Sequence, residues 1–307
     1  MRMRLIATAA AIFIAYSGAQ AQMTFLPPAP TPVFEKVEIK ITDLGNRTYM
    51  LEGVGGNITI AVADDGVFMV DSQFEPLYGK IRAAIATLTP QPVRYLINTH
   101  FHGDHTGGNA AFAKDGAIVV AHENVKVRMV EGARNNVTNL PWPAWPPEAQ
   151  PKQTYKDTLT LRLKGRTAEL RHPANVHTDG DTYVYFPEAN VLTAGDLVFF
   201  NRYPNIDYFY SGSIDGQIRG ADELLQLAKV DTKIVPGHGP AGTKAMLRGY
   251  REMLVIARDR IQKLRAEGKT EDEILAARPN ADYDAKFGLD ERAIGNFIRA
   301  IHRSLKK

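Results

Sequence analysis

The sequence predicts an α/β fold made of two similar halves around a shared core, and three observations lead there. Twice along the chain, a run of short strand-like segments gives way to strand–helix alternation, which is the element order of a layered α/β domain. Hydrophobic residues make up 44% of the 307 positions, enough for a large chain to bury a core of its own. Cysteine is absent, so neither disulfides nor thiolate-held metals can substitute for that core.

The first half opens with KVEIKI (36–41), RTYMLE (47–52), NITIAV (57–62) and VFMVD (67–71), apolar or alternating runs separated by Gly, Asn and Asp. Pro76 to Leu88 is predicted helical, because Leu77, Ile81, Ala84, Ile85 and Leu88 fall on one face. VRYLIN (93–98) is the next strand, Asn109 to Lys114 a short helix, AIVVA (117–121) a strand and Glu123 to Ala133 a helix. Residues 135–157 break the pattern. They hold both tryptophans and five prolines within LPWPAWPPEAQP, and a long loop of that composition inside a domain is expected to serve a functional role such as a lid. The second half repeats the theme with strands LTLRL (159–163), TAELR (167–171), TYVYF (182–186) and NVLTA (190–194), a helix from Asp215 to Ala228, the strand TKIVP (232–236) and a long helix from Ala241 to Ala266. Helices at 271–277 and 290–305 close the chain.

The front end reads as a targeting segment. MRMR is basic, Leu5 to Tyr16 is an apolar run of twelve, and Ala19-Gln20-Ala21 forms a small-residue cleavage site. Twelve apolar residues are too few to span a bilayer, which takes about 20. The expected organisation is therefore a signal peptide at 1–21, a Pro-rich linker at 22–34 and one domain at 35–307 that includes the C-terminal helices. A periplasmic or secreted location follows, with no stable membrane anchor after cleavage. The formal charge of +3 falls to about +1 once Arg2 and Arg4 leave, and the remaining charges are mixed, so there is no electrostatic footprint for nucleic acid. The expected partner is a small-molecule substrate; oligomeric state is not legible.

The chemistry concentrates in NTHFHGDHTGGN (98–109), where His100, His102, Asp104 and His105 crowd into six positions at a strand end. Imidazole and carboxylate are good zinc ligands. Gly103, Gly107 and Gly108 are expected to give the loop the freedom to curl its ligands inward. One zinc takes three or four ligands, so this motif alone is underfilled for two metals. Further candidates stand at other strand ends: His177 in the turn NVHTDGD, Asp196 directly after NVLTA, and His238 directly after TKIVP. His122 also follows a strand and is expected to cap a helix rather than ligate; His172 and His302 are expected to be structural or exposed.

The set THFHGDHTGGN, HTDGD, LTAGD and PGHGP resembles the metallo-β-lactamase superfamily over roughly residues 45–255. The resemblance implies an αββα sandwich, with two mixed β-sheets packed face to face, helices on the outside and the metal site at one edge. It implies that His100, His102 and His177 hold one zinc, that Asp104, His105 and His238 hold a second, and that Asp196 bridges them. Asp71, at the end of VFMVD, matches a position that organises the site without ligating. The implied activity is that of a dinuclear zinc hydrolase in which a metal-bridging hydroxide, oriented by Asp104, cleaves an ester, lactone, thioester or β-lactam bond.

Departures from the family narrow this. No cysteine stands at 196, which excludes the subclass that carries one; the three-histidine β-lactamase subclass stays compatible. The residues after Asp196, namely Leu197, Val198 and Phe199, supply no anchor for a drug carboxylate, and Arg202 is the nearest candidate. A thiol-ester-binding region is not recognisable after residue 261. His102 occupies a position where the diiron flavoprotein branch has glutamate. NRYPNIDYFYSGS (201–213), together with Trp142 and Trp145, is expected to wall an apolar pocket. A non-catalytic periplasmic zinc-binding protein is the competing functional class.

Overall fold

A computed structural model describes residues 33–305. The expected signal peptide lies outside the described residues, as does the linker apart from Val33 and Phe34. In chain order the elements are β1 (Lys40–Gly45), β2 (Thr48–Glu52), β3 (Ile58–Val62), β4 (Val67–Val70), α1 (Tyr78–Leu88), β5 (Val93–Ile97), α2 (Gly103–Thr106), α3 (Asn109–Lys114), β6 (Ile118–His122), α4 (Glu123–Glu131), β7 (Ala133–Arg134), β8 (Pro141–Trp142) and β9 (Gln153–Tyr155). There follow β10 (Thr158–Leu163), β11 (Arg166–Arg171), β12 (Tyr183–Phe186), β13 (Val191–Phe199), α5 (Ile214–Leu227), β14 (Lys233–His238), α6 (Lys244–Ala266), α7 (Glu271–Ala277), α8 (Ala281–Phe287) and α9 (Glu291–Ser304).

Two mixed sheets form. The first has seven strands in the order β1-β2-β3-β4-β5-β6-β9 and the second five in the order β10-β11-β12-β13-β14. Each begins as an antiparallel meander and turns parallel where a helix intervenes, at β4–β5 and at β13–β14. That is the repeated half-pattern seen in the sequence. The layering follows from side-chain alternation. In β4, Phe68 and Val70 face the core between the sheets, while Val67 and Met69 face the helices α1 and α3. In β12, Val184 and Phe186 face the inter-sheet core, while Tyr183 and Tyr185 face the outer helices. Both faces of both sheets are thus covered, giving an αββα sandwich. Phe68 and Phe186 meet across the middle at 6.2 Å between ring centroids, both fully buried.

Several element boundaries differ from expectation. KVEIKI was expected to pair throughout, but the chain makes a short 3-10 turn at Phe34–Lys36 and pairs only from Lys40. The reason is Lys80, whose ammonium donates to the carbonyls of Phe34, Glu35 and Val37 and holds them away from any ladder. The segment 135–157 contains β9, which docks parallel to β6, and β8, which pairs with β7 just before the segment in a small hairpin. Strands of two or three residues carry no readable periodicity. The helix after β6 stops at Glu131 because Gly132 adopts φ 82°. α8 precedes α9 and was not anticipated. Finally, β13 does not end at Ala194 but runs on to Phe199. Its pairing with β14 shifts register on either side of Gly195, which has φ 54°. This is a bulge, and bulges re-aim side chains.

The two sheets are tied together at one edge. Thr182 N donates to Thr99 O at 2.7 Å, Asn57 N to Gly237 O at 2.7 Å, and Asn57 Nδ2 to Pro236 O at 2.9 Å. These bonds join the carboxyl ends of β5 and β14 to the opposite sheet, and the chemistry-bearing residues gather at that edge.

Candidate metal centre

β4 ends at Asp71, which takes a left-handed backbone (φ 64°) and turns its carboxylate back under the edge. There Oδ1 accepts from Thr99 N at 2.8 Å, and Oδ2 accepts from Thr99 Oγ1 at 2.7 Å and from His105 Nδ1 at 2.8 Å. Burial pushes this carboxyl above the usual range, against the pull of His105 and of the Thr99 donors. Asp71 therefore organises two elements at once: the end of β5 and the turn α2.

The residues after β5 do not form an open, freely curling loop. Gly103–Thr106 is one helical turn, and a side chain at Gly103 would meet nothing within 4 Å. Gly107 and Gly108 are needed for close approach. A Cβ on Gly108 would lie 2.6 Å from Ser72 O, and one on Gly107 2.8 Å from Gln73 O. The glycines let α2 press onto the strand end of β4.

All seven sequence-predicted side chains converge. His100, His102, His177 and Asp196 form one group; Asp104, His105 and His238 form another; within each, the potential ligand atoms lie within 4.8 Å of one another. Asp196 stands between them with one oxygen toward each. Its Oδ2 is 3.5 Å from His177 Nε2 and 4.0 Å from His100 Nε2, while its Oδ1 is 3.3 Å from His105 Nε2 and 3.6 Å from His238 Nε2. The β13 bulge produces this pose, and Gly237 makes room for it: a Cβ there would sit 1.9 Å from Asp196 Oδ1.

Hydrogen bonds on the far side of each ring fix which nitrogen carries the proton. His105 Nδ1 donates to Asp71, His177 Nδ1 to Asn205 O at 2.7 Å, and His102 Nε2 to Asp207 Oδ2 at 3.0 Å. Thr99 Oγ1 gives its proton to Asp71 and so accepts from His100 Nδ1 at 3.0 Å. His100, His102 and His177 are each left with a lone pair facing inward. His102 Nδ1 and His177 Nε2 then face each other at 3.0 Å with no proton between them. His100 Nε2 and Asp196 Oδ1 are buried with no hydrogen-bond partner. Converging buried acceptors without donors are costly, and a cation satisfies all of them; the donor set fits a metal.

The electrostatics agree. Burial, with the neighbouring histidines, drives the proton affinity of His100 well below that of a free imidazole. Burial likewise takes His177 down to about 4. For His105, burial is outweighed by the carboxylates of Asp104, Asp196 and Asp71, which hold its proton affinity far up. For Asp104 and Asp196 burial is again outweighed, by His105 and His238, and both carboxyls stay below the usual range. Metal binding displaces such a trapped proton.

A cavity of about 620 Å³ opens over the centre, with His102, Asp104, Asp196 and His238 on its floor. Of the aromatics expected to wall it, Trp142 and Tyr203 do so, joined by Phe199, which was not among them. Trp145 instead donates to Thr106 Oγ1 at 3.1 Å, Tyr208 donates to Asn136 O at 2.8 Å, and Tyr210 packs edge-on against Phe101. These three brace the loops rather than line the cavity.

Against the chain as a whole, the family model for the metallo-beta-lactamase superfamily matches residues 51–239. The chain belongs to the metallo-beta-lactamase superfamily. It is 32% identical over 205 residues to the 2,4-dinitroanisole O-demethylase subunit alpha of Nocardioides sp. (strain JS1661), covering 64% of this chain and about half, 54%, of that relative's length. It is 22% identical over 197 residues to a metallo-beta-lactamase type 2 of Bacillus sp. (strain 170), covering 64% of this chain and 71% of the relative. Among solved structures, a metallo-beta-lactamase from Pontibacter korlensis superposes with a TM-score of 0.59 at 22% identity, over 71% of this chain and 99% of that one. Within this superfamily fold, the chain carries a histidine–aspartate cluster able to hold metal.

Sequence reasoning missed the groups that hold the rings. Asp207 is 1% exposed and sits under His102. Its signal was the run Ile206-Asp207-Tyr208, a carboxylate among apolar residues that needs a buried partner. Asp181 accepts from the backbone of His177 and Thr178 at 2.7 and 2.9 Å, and burial raises its carboxyl to about 7. His122 caps α4, accepting from Asn124 N at 3.2 Å, and stacks on His172 at 3.7 Å; neither joins the cluster.

Proposed function

We propose that this protein is an exported dinuclear zinc hydrolase that cleaves an ester, lactone, thioester or lactam bond in a small molecule. The single observation that carries the reading is Asp196, with one oxygen toward each of two histidine-rich groups on the floor of a substrate-sized cavity. The all-nitrogen-and-oxygen donor set suits zinc. His100, His102 and His177 would hold one ion and Asp104, His105 and His238 the other, with Asp196 shared. When bound, such a pair supplies Lewis-acid polarisation and a water acidified toward neutral pH. Asp104 is the ligand carboxylate most open to the cavity, its side chain 30% exposed against 6% for Asp196. Held in its ionised form, it accepts a hydrogen bond from an attacking water and orients it. The rings stay fixed through Asp71, Asp207, Thr99 and Asn205 O, so the site is preorganised.

The names of the relatives favour a hydrolytic centre but not one substrate: one is named for O-demethylation of 2,4-dinitroanisole, others for β-lactams. The test is a panel of esters, lactones, thioesters, β-lactams and 2,4-dinitroanisole on the zinc-reconstituted chain, with and without chelator. Chelator-sensitive turnover is expected; full activity after metal stripping would end the proposal. Inertness toward penicillins, cephalosporins and carbapenems would remove the narrower β-lactamase reading. Asp104→Asn separates an enzyme from a zinc-binding protein without catalysis, because the enzyme loses turnover with limited metal loss. Export is tested by fractionation and N-terminal sequencing, with Gln22 expected first.

A further inference from the structure

The superfamily match ends at residue 239, so α7, α8 and α9 lie outside it. Yet the segment that holds two of the converging histidines is fastened to those helices. Asn205 O accepts from His177 Nδ1 at 2.7 Å, Asp207 N donates to His177 O at 2.9 Å, and the Asp207 carboxylate accepts from His102 Nε2 at 3.0 Å. Residues 202–207 belong to no strand or helix, and only the 3-10 turn Tyr208–Tyr210 follows them. A backbone without a ladder of its own keeps its place through contacts from outside.

The C-terminal helices supply those contacts. Upstream, Tyr203 N donates to Phe287 O at 2.8 Å, its hydroxyl donates to Asp284 Oδ1 at 2.9 Å, and its ring stacks on Phe297 at 4.3 Å. Downstream, Ile214 N donates to Ser304 Oγ at 3.2 Å. Between these, next to Asp207, the Tyr208 hydroxyl accepts from Arg303 Nη1 at 2.7 Å and donates to Asn136 O at 2.8 Å. Asn136 closes the loop by donating from Nδ2 to Ile206 O at 2.7 Å. The Arg303 side chain is 6% exposed, and its Nε and Nη2 donate to the two oxygens of Glu271 at 2.8 and 2.6 Å. Such a two-point pair fixes the plane of the guanidinium, and so fixes the direction in which Nη1 meets Tyr208. His105, in the other group, is held from the first sheet by Asp71.

We propose that Arg303 and Tyr208 are positioning residues for the metal centre, acting through residues 205–207 on His102 and His177. This rests on the metal-dependent reading above. The C-terminal helices thereby complete one half of the centre, while Asp71 at the end of β4 serves the other. The Asp207 carboxylate sets the proton of His102 on Nε2 only while its turn stays in register with the ring, and Tyr208 is the side chain that pins that turn. Partners one step behind a ligand set its orientation and basicity in this way.

The test uses the full chain with Tyr208→Phe, Arg303→Met and Arg303→Lys. In zinc competition against a chromophoric chelator, Tyr208→Phe weakens one of two constants about two- to tenfold, as the net worth of one or two hydrogen bonds converts, and the other holds. Arg303→Met does the same, and Arg303→Lys, which keeps a donor, recovers part of the loss. In an Asp207→Asn background Tyr208→Phe adds less than in the wild type, because the carboxylate it steers is gone. Full additivity, or two constants equally weakened with a lowered metal-free melt, marks a merely structural role and overturns the proposal. If the wild type binds no zinc, the zinc reading fails by itself. The coupling is then decided on the metal-free chain by NMR of the imidazole nitrogens. Tyr208→Phe is expected to mix the tautomers of His102 and leave His105 unchanged. A His102 signal unmoved by Tyr208→Phe and Arg303→Met, or moved equally with His105, overturns the proposal.

Discussion

Asp207→Asn is a nearly isosteric change with a defined electronic consequence. The native carboxylate accepts from Phe209 N on Oδ1 at 3.2 Å and from His102 Nε2 on Oδ2 at 3.0 Å. In the variant, the amide oxygen is retained by Phe209 N, so the amide NH₂ faces His102 Nε2. Two donors cannot face each other in a buried site, and His102 must move its proton to Nδ1. That atom points at His177 Nε2, 3.0 Å away, and a direct ring-to-ring hydrogen bond now competes with the metal. Loss of a carboxylate behind a ligating histidine costs about 10–100-fold in affinity, or about 1.4–2.7 kcal/mol. On the proposed dinuclear zinc reading, competition against a chromophoric chelator resolves two stepwise zinc constants, and a melt of the metal-free protein checks the fold. One constant weakens by that factor while the other and the metal-free melt hold. Two unchanged constants, or two equally weakened with a lowered melt, would refute the tautomer argument.

Four further outcomes follow from the same geometry. Gly237→Ala places a Cβ 1.9 Å from Asp196 Oδ1 and should cost at least one zinc equivalent by elemental analysis. Phe68→Ala empties the centre of the inter-sheet core and should lower unfolding free energy by about 3–5 kcal/mol in a urea titration, leaving zinc stoichiometry intact in the protein that stays folded. Zinc at a hundred times its dissociation constant should stabilise by about 2.7 kcal/mol per site, seen as a melting shift that chelator reverses. Burial, then the stacked His172, lowers His122 to about 4. Since the folded state binds this proton less readily than the unfolded one, the stabilisation is complete above about pH 6.5 and is lost as pH falls toward 4. The full span is at most about 3 kcal/mol. His122→Asn keeps an acceptor for Asn124 N and should flatten that part of the curve; an unchanged wild-type-minus-variant difference between pH 7 and 4 would contradict it.

Most of the architecture was legible because both sheets are buried on both faces. VFMV and TYVYF are apolar at every second position on each side, and the strand signal survives without any polar alternation. The helices at 109–114 and 271–277 matched to the residue, the second through its capping box, in which Thr270 and Glu273 satisfy each other's backbone donors. What escaped depended on distant partners. β9 exists because β6 offers it an edge, and β1 starts late because Lys80 claims the carbonyls before it. The extension of β13 through Asp196 is set by its pairing with β14, which no local window contains.

The site divides along the same line. The sequence alone determined which side chains would converge, because three histidines and an aspartate within six positions, and single histidines or aspartates at three other strand ends, are a compositional fact that folding only gathers. It also excluded thiolate ligation, since there is no cysteine to supply it. Tertiary structure decided how those side chains are poised. The bulge at Gly195 sends one oxygen of Asp196 to each group, and Asp207 and Asn205 O, more than twenty-five residues from the rings they hold, choose the inward-facing nitrogens. The turn to α9 brings Leu289, Arg292 and Asn296 over a cluster whose last residue in the chain is His238. Ligand identity is written in residue type, which is local; tautomer, orientation and cavity shape depend on contacts that exist only once the sheets have closed on each other.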